Sequence, residues 1–364
     1  MRLCYALAYR DPDYIRTRSL LAALALDPAI ELQRANQRSH GLARYAQMLT
    51  ALLRIHRTHA PDIYLLGFRG HEVFWLVRRI VGRTPLVFDA MMSPHLALTE
   101  ERKAGWLGSM LAVLWRPIEA YALRHADLVL TDTVLHARAY VEHFSVAPER
   151  ILPLPVGAFE PASLPQPQSV RDAREPLRVL FYGSFLPLHG LDVIVRAAAA
   201  VRDLPLQFRF IGGSVRQAQR LRAACAQHGV QNWTHTRWVP FEQLVSEEIP
   251  AADLCLGGPF GDTPQARRVV TGKTSQCLAL GRVTIVGAIA CDYGLRDREN
   301  CLLVPQGDAD SLAAALRWAH AYRERLPTIA AAGQELYAQR LSVAAIAREL
   351  LPALHRMTDK RAGA

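Results

Sequence analysis

Gly257-Gly-Pro-Phe-Gly-Asp-Thr-Pro-Gln-Ala-Arg-Arg-Val-Val-Thr-Gly-Lys-Thr-Ser-Gln-Cys-Leu-Ala-Leu-Gly-Arg-Val-Thr-Ile285 comes directly after an apolar run, Asp253 to Leu256. The run reads as a strand, and the residues beyond it as a Gly- and Arg-rich loop and a short helix over Thr274 to Leu280. Gly281 stops that helix before another strand. Backbone amides at such a helix start can hold an anion. Arg267, Arg268 and Lys273 add positive charge around that point against the single carboxylate of Asp262, so a diphosphate suits it. The same residues also read as an ordinary strand-loop-helix with a solvated basic loop, and local sequence does not separate the two.

Working outward, the alternation recurs on both sides. Strands are expected at Leu3–Ala8, Ile63–Gly67, Leu86–Asp89 and Leu128–Asp132, then at Arg178–Tyr182, Gln207–Ile211, Asp253–Leu256, Val283–Val286 and Cys301–Val304, with helical patterns between them. Short apolar strands alternating with helices give a parallel sheet covered on both faces. The expected fold class is therefore α/β: two doubly wound, Rossmann-like domains facing across a cleft, with ligand at the carboxyl ends of the strands. The stretch Pro153 to Pro176 holds six prolines, which suits a connection between the halves. The division expected is 1–160 for the first domain, 161–176 for a linker and 177–340 for the second domain. Residues 341–364 form a C-terminal helix and tail that can return to the first domain.

The second half contains two further glycine turns. Val179-Leu-Phe-Tyr-Gly183-Ser184-Phe-Leu-Pro-Leu-His189-Gly190-Leu-Asp192 reads as strand, turn and helix, and Phe210-Ile-Gly212-Gly213-Ser214 as a strand ending in a Gly pair. Glycines at strand ends let a ligand approach the backbone closely, though they also simply permit tight turns. Neither segment matches the dinucleotide fingerprint G-x-G-x-x-G and no Walker loop is present, so hydride transfer and ATP hydrolysis lack their usual signals.

Composition narrows the class. A chain of 364 residues with 51% hydrophobic content is comfortable for two packed domains. The net charge of +10 is spread evenly, with 20 basic against 16 acidic residues before position 174 and 23 against 17 from there on. With no basic tail and no aromatic residues interleaved with Lys and Arg, nucleic acid is not the expected partner. Cys4, Cys225, Cys255, Cys277, Cys291 and Cys301 form no C-x-x-C pair and read as free thiols in a reducing compartment. The chain enters a strand-like run at Leu3 without the pattern of a signal peptide, and its longest nearly uncharged apolar run, Trp106 to Trp115, is short of a membrane span. The expectation is a cytoplasmic protein, soluble or peripheral.

These fragments, taken in order, resemble the retaining nucleotide-sugar glycosyltransferases of family 4, whose architecture is called GT-B. The likeness runs along the whole chain: Asp13-Tyr-Ile-Arg-Thr-Arg18, Pro85-Leu-Val-Phe-Asp89, Ala126-Asp127-Leu-Val-Leu-Thr-Asp132-Thr133, Leu154-Pro-Val-Gly157-Ala, Gly183 to Asp192, and Glu299-Asn300-Cys-Leu-Leu-Val-Pro-Gln-Gly307-Asp308. Each fragment is loose, and their order and spacing are the more specific signal. The commonest family pattern opens and closes the donor loop with two glutamates; here the second falls on Gln276 and Arg268 stands near the first. The Arg and Lys that typically follow the first strand of the second domain fall on Ser184 and His189. The chain is thus similar to a variant with a Pro-Leu-His-Gly turn and a Lys-x-x-Gln segment.

The resemblance implies transfer of a sugar from a UDP- or GDP-sugar to an acceptor hydroxyl with retained configuration, no essential metal and no cofactor beyond the donor itself. On that basis Gly183, Ser184 and His189 form one wall of the phosphate site, with Gly212 and Gly213 also on the donor side. Arg268, Lys273 and the amides of Thr274 and Ser275 form the other wall. Gly258, Pro259 and Gly261 shape the loop against the sugar, and Gln276 holds the ribose. Asp89 and His95 stand with Arg268 and Lys273 as candidate catalytic groups, each with the plainer alternative of a helix cap or satisfied surface group. Arg16, Arg18 and His71 are candidates for the acceptor side, or else solvated. The contrasting reading is a nucleotide-sugar-binding protein that kept the fold and lost the chemistry, marked by Gln276 and the missing first glutamate.

A glycan or lipid-linked acceptor is the expected second substrate, and an anionic membrane surface a further partner. Gln33 to Pro61 carries Arg34, Arg38, Arg44, Arg54 and Arg57 with no acidic residue, and Leu42, Tyr45, Leu49, Leu52 and Leu53 recur at helical spacing. Lys103 to Arg116 adds Trp106 and Trp115 beside basic residues. Such a surface can rest on anionic lipid, or the apolar stripe can pack on the sheet and leave the arginines merely solvated.

Overall fold

Buried runs of aliphatic and aromatic residues form the central strands, and the polar, glycine-bearing segments after them turn the chain into covering helices. The computed structural model describes residues 1–36, 39, 41–100, 105–161, 165–169, 174–290 and 293–362, without the side chains of 105–107, 109 and 360–362. The chain divides into two compact units, Met1–Gly157 with Val343–Ala364, and Ala158–Ser342.

The first unit holds β1 (Arg2–Ala6), β2 (Glu31–Ala35), β3 (Ile63–Leu66), β4 (Leu86–Met91), β5 (Leu128–Thr131) and β6 (Ile151–Pro153). They form one parallel sheet in the order β2-β1-β3-β4-β5-β6. Its helices are α1 (Ile15–Ala25), α2 (Ala43–His59), α3 (Phe74–Val81), α4 (Pro94–Glu100), α5 (Gly105–His125) and α6 (Val134–Phe144). One face of the sheet is covered by residues of α2, α3, α5 and α6, among them Met48, Phe74, Leu123 and Phe144. The other face is covered by Leu20 and Leu24 of α1 and by Ile346, Leu350 and Leu354 from the end of the chain.

The second unit holds β7 (Leu177–Gly183), β8 (Leu206–Gly212), β9 (Trp233–Thr236), β10 (Leu254–Gly258), β11 (Val283–Gly287) and β12 (Leu302–Val304). This sheet is also parallel, in the order β12-β11-β10-β7-β8-β9, so the order reverses between β7 and β10. Its helices are α7 (Leu191–Ala200), α8 (Val215–Gln227), the short α9 (Phe241–Gln243) and α10 (Ile249–Ala251), α11 (Gly272–Ala279), α12 (Ala309–Ala321) and α13 (Leu326–Leu336). The last helix, α14 (Val343–Ala362), belongs to the first unit and packs on α1.

The nine strands expected from sequence all form, within a few residues of their expected bounds. The three further strands, β2, β6 and β9, are sheet edges and are half-exposed. An edge strand is not buried on both faces, so it lacks the continuous apolar run by which a central parallel strand is recognised. The described part of the Pro-rich stretch lies along the second unit, where Gln168 bridges to Gly281 and Val283 and the Pro165 carbonyl accepts from Gln334. Of the cysteines, Cys4, Cys225, Cys255, Cys277 and Cys301 are free and buried; Cys291 lies outside the described residues.

Candidate functional site

In the second unit the ends of β7 and β10 flank the reversal of strand order, the position at which open parallel sheets bind ligands. Three segments meet there. After β7, the turn Pro187–His189 ends at Gly190, whose positive φ of 65° suits glycine. A Cβ at Gly190 would stand 2.5 Å from the Gly261 nitrogen, so the turn rests directly on the loop after β10. The Gly261 amide donates to the Leu188 carbonyl at 3.0 Å and closes that contact. The loop begins with a cis Gly258–Pro259 bond. The third segment is the start of α11.

Lys273 and His189 are the charged centre of this arrangement. Lys273 Nζ lies 2.9 Å from His189 Nε2 and 5.9 Å from the centre of the Phe181 ring. A Cβ on Gly183 would come within 3.3 Å of the His189 ring and 3.7 Å of Lys273 Nζ, so a side chain there would cover the pair. The Leu186 amide donates to His189 Nδ1 at 3.3 Å. Burial lowers the lysine to about 8, so near neutrality it is mostly the ammonium and the free amine takes over above that pH. An anion at this point would favour the ammonium form.

The amides left without an acceptor at the start of α11 sit earlier than the sequence suggests. Thr271, not a residue after it, is the N-cap of α11, and its hydroxyl accepts from the Thr274 amide at 3.3 Å while donating to the Gly257 carbonyl at 2.7 Å. The Ser275 amide bonds the Thr271 carbonyl. Thr274 and Ser275 are thus buried and occupied, and the helix positions without an intrahelical acceptor are Gly272 and Lys273. Gln276 is also placed differently from its expected ribose contact. It is buried, its Oε1 accepts from the Phe159 amide at 2.9 Å and its Nε2 donates to the Phe159 carbonyl at 3.1 Å, which fastens the 158–160 segment to α11. Arg268 is half-buried in a single turn of helix over Ala266–Arg268, and Arg267 pairs with Asp262 at the surface.

Beside the pair lies a cavity of about 620 Å³ lined by Gly183, Ser184, Gly212, Gly213, Trp238 and Phe241, among others. Ser184 is exposed, and its carbonyl accepts from Gln217. Sequence reasoning misses Trp238 and Phe241 because they come after β9, the edge strand that carries no clear apolar run. Thr271 is legible as a Thr placed three residues before the Thr274 amide, an N-cap spacing.

The residues singled out in the first unit behave otherwise. Arg16 and Asp89 are both fully buried and pair with each other, Arg16 Nη2 to Asp89 Oδ1 at 2.9 Å, with Arg16 Nε shared between the two carboxylate oxygens. Arg16 also donates to the carbonyls of Leu154, Pro155 and Thr131. Burial lifts the Asp89 carboxyl and the guanidinium pulls it back. The pair is an internal strut, fully buried, where the sequence suggested a catalytic Asp89 and an acceptor-binding Arg16. His71 is likewise buried, edge-on to Phe88 at 4.8 Å, with no hydrogen-bond partner for either ring nitrogen among the described residues. Burial holds it down at about 3, so it is neutral. Arg18 is half-exposed near Asp13. His95 is half-buried, and its Nδ1 donates to the Ala112 carbonyl at 2.9 Å.

The basic helix α2 turns its stripe inward: Met48, Leu52 and Ile55 are buried and Tyr45 and Leu49 pack beside them. Leu42 stays exposed and Leu53 is half-buried. Arg38, Lys103 and the side chain of Trp106 lie outside the described residues, and Trp115 is half-buried. Among the described residues no helix is long and apolar enough to cross a membrane.

Residues 176–321 match the family model described as Glycosyl transferases group 1. The chain is 26% identical over 310 residues to D-inositol 3-phosphate glycosyltransferase of Geodermatophilus obscurus, a match covering 78% of this chain. It spans 65% of the length of that curated relative. Among solved structures, sucrose-phosphate synthase from Thermosynechococcus elongatus superposes with a TM-score of 0.76 at 15% identity, over 99% of this chain and all of that one. HepE of Anabaena in complex with UDP superposes with a TM-score of 0.67 at 14% identity, over 98% of this chain and all of that one. With its two six-stranded parallel sheets and flanking helices, the chain has the two-domain α/β GT-B fold.

Proposed function

We propose that the chain is a retaining glycosyltransferase of the family 4 kind that moves a hexose from a UDP- or GDP-sugar to a hydroxyl of a glycan or lipid-linked acceptor. The observation that carries this reading is the meeting of Gly183, the His189–Lys273 pair and the start of α11 where the strand order reverses. Sugar transfer breaks the bond from the anomeric carbon to the diphosphate oxygen and forms a bond from that carbon to the acceptor oxygen on the same face. Negative charge grows on the departing diphosphate, and groups already aimed at it lower the barrier. Lys273 as an ammonium, Arg268 and the amides of Gly272 and Lys273 supply that stabilisation, in place of a divalent ion. The cavity beside Trp238 takes the base and ribose. The second unit is thus the donor half, and the first is the acceptor-binding half. The product belongs to cell-surface polysaccharide or glycolipid synthesis on the cytoplasmic side.

A second reading, a nucleotide-sugar binder without chemistry, is favoured by Gln276, whose amide is wholly engaged with Phe159. One experiment separates them. Thermal unfolding is followed with UDP, GDP and their sugars; a ligand present at a hundred times its Kd stabilises by about 2.7 kcal/mol. A selective rise identifies the donor, and release of nucleoside diphosphate on adding acceptors, or slowly in water, establishes transfer chemistry. A donor that binds and is never cleaved supports the non-catalytic reading. Absence of any shift with these ligands removes both.

A further inference from the structure

The outward face of α5 is more apolar than its inward face requires. Met110, Leu111, Val113, Leu114 and Ile118 are exposed, Val113 at 71% and Leu114 at 64%, while the one carboxylate of the helix, Glu119, is buried. A solvent-facing helix ordinarily reverses that arrangement. On the neighbouring α3, which packs against α5, Trp75 is 53% exposed. Five exposed apolar side chains on one helix, with Trp75 on the helix packed against it, are more than the scattered single residues a soluble protein normally shows.

Its surroundings are basic. Helices α2, α3 and α5 are packed in that order on one side of the sheet and hold seven arginines; Glu119 is their single acidic residue. Arg54, Arg57, Arg79, Arg116 and Arg124 are exposed. Among the described residues of these three helices every exposed charge is positive, and Asp127, just beyond α5 and exposed, is paired with Arg78 of α3; apolar side chains beside such a surplus of arginine fit a surface that is apolar inside and anionic at its edge. A second copy of the chain would bring like charges together. We propose that the outward faces of α3 and α5 dock on an anionic lipid bilayer, with α5, 21 residues and about 30 Å long, lying in the plane of the interface. Met110, Val113, Leu114 and Trp75 enter the acyl boundary, and the arginines meet the lipid phosphates. This surface lies wholly in the first unit and is independent of the donor chemistry assigned to the second.

The test is sedimentation of the full chain with vesicles of phosphatidylcholine, and of phosphatidylcholine mixed with phosphatidylglycerol, at low and physiological salt. Binding to the anionic vesicles that weakens with salt is expected, with little binding to the neutral ones. The double variant V113S/L114S should lose about tenfold or more in affinity for the anionic vesicles, because two side chains no longer leave water. Its melting temperature should be unchanged, since both positions are already exposed. The substitution R79E/R124E should lose affinity and salt dependence together. No sedimentation with anionic vesicles, or equal binding by V113S/L114S, overturns the proposal. So does a dimer in analytical ultracentrifugation that V113S/L114S dissolves, or an acidic soluble protein that competes with the vesicles for the same face.

Discussion

Arg16 in the first unit and Lys273 in the second are both cations held among strand ends, and they differ in what faces them. Arg16 meets the Asp89 carboxylate and three carbonyls. Lys273 meets an imidazole and a phenyl ring, and among the described residues no carboxylate pairs with it. A buried charge matched inside the protein holds structure together, whereas one left without its counter-charge is a place for an anion from outside. The same contrast appears where each sheet reverses its order. Between β7 and β10 the chain presents glycine and cations; near β1 and β3 it presents the rings of Tyr9, Tyr14 and Phe68, 5.1 to 5.6 Å apart.

Deleting each charge is the sharpest way to break this comparison. Arg16→Ala leaves Asp89 buried without its partner and is expected to cost about 3–5 kcal/mol of stability, read as a large fall in melting temperature or loss of soluble protein. The double variant R16M/D89L should recover much of it, because an apolar pair needs no counter-charge. Lys273→Ala should leave the melting temperature of the free protein unchanged or raise it, since the amine is held against its solvation preference. Its effect belongs to the ligand: nucleoside diphosphate affinity, measured by calorimetry, should fall on the order of a hundredfold, the worth of about 2–3 kcal/mol for a charge-assisted hydrogen bond. Equal loss of stability in both variants would erase the distinction.

The sequence signals of the second unit are more local than those of the first, and the reason is physical. The groups gathered at the strand reversal of the second unit are glycines, a lysine and a helix start, all of which leave local marks: Gly183, Gly190 and the Thr-Gly-Lys of the α11 start are visible in the chain itself. Arg16 and Asp89 are 73 residues apart, and only the fold shows that they cancel. Gln276 looks available for a ribose until Phe159, 117 residues earlier, takes both ends of its amide. The edge strands β2, β6 and β9 escape for the related reason that a half-exposed strand has a mixed pattern. An amphipathic period alone does not show which helix exposes an apolar face: the stripe of α2 faces the sheet, while α5, which includes most of the Lys103 to Arg116 stretch, carries apolar residues on both faces and so has no clean period.

The proton on the Lys273–His189 pair gives a smaller effect with a definite sign. Lys273 is lowered to about 8 in the folded protein, and a diphosphate favours its ammonium form. Below pH 8 the lysine already carries the proton that the ligand needs, so affinity is flat; above it the proton must be taken up on binding, and affinity falls. Between pH 7 and pH 9 the loss should be about tenfold. Phosphate ionisation cannot imitate this trend, since the second phosphate proton leaves near pH 6. The slope should vanish in Lys273→Met. An affinity that rises with pH, or a slope unchanged in that variant, would remove the pair from the site.

The mildest test uses a feature the two units share. Thr133 caps α6 by accepting from the His136 amide at 3.2 Å, as Thr271 caps α11 by accepting from Thr274 at 3.3 Å. Replacing either by alanine should cost about 1 kcal/mol of stability, because one amide at a helix start loses its acceptor. Beyond that the two variants should part. Thr133→Ala has no further consequence for a diphosphate held by the second unit. Thr271 also donates to the Gly257 carbonyl at 2.7 Å, tying the start of α11 to the end of β10. Without that link the Gly272 and Lys273 amides are free to drift from the glycine loop, so Thr271→Ala should weaken nucleoside diphosphate binding several-fold in addition, about 1 kcal/mol by the usual worth of a hydrogen bond. Thr271→Ser keeps the hydroxyl and should restore both quantities. If Thr133→Ala and Thr271→Ala lose ligand affinity to the same extent, α11 is an ordinary capped helix and the anion is bound elsewhere.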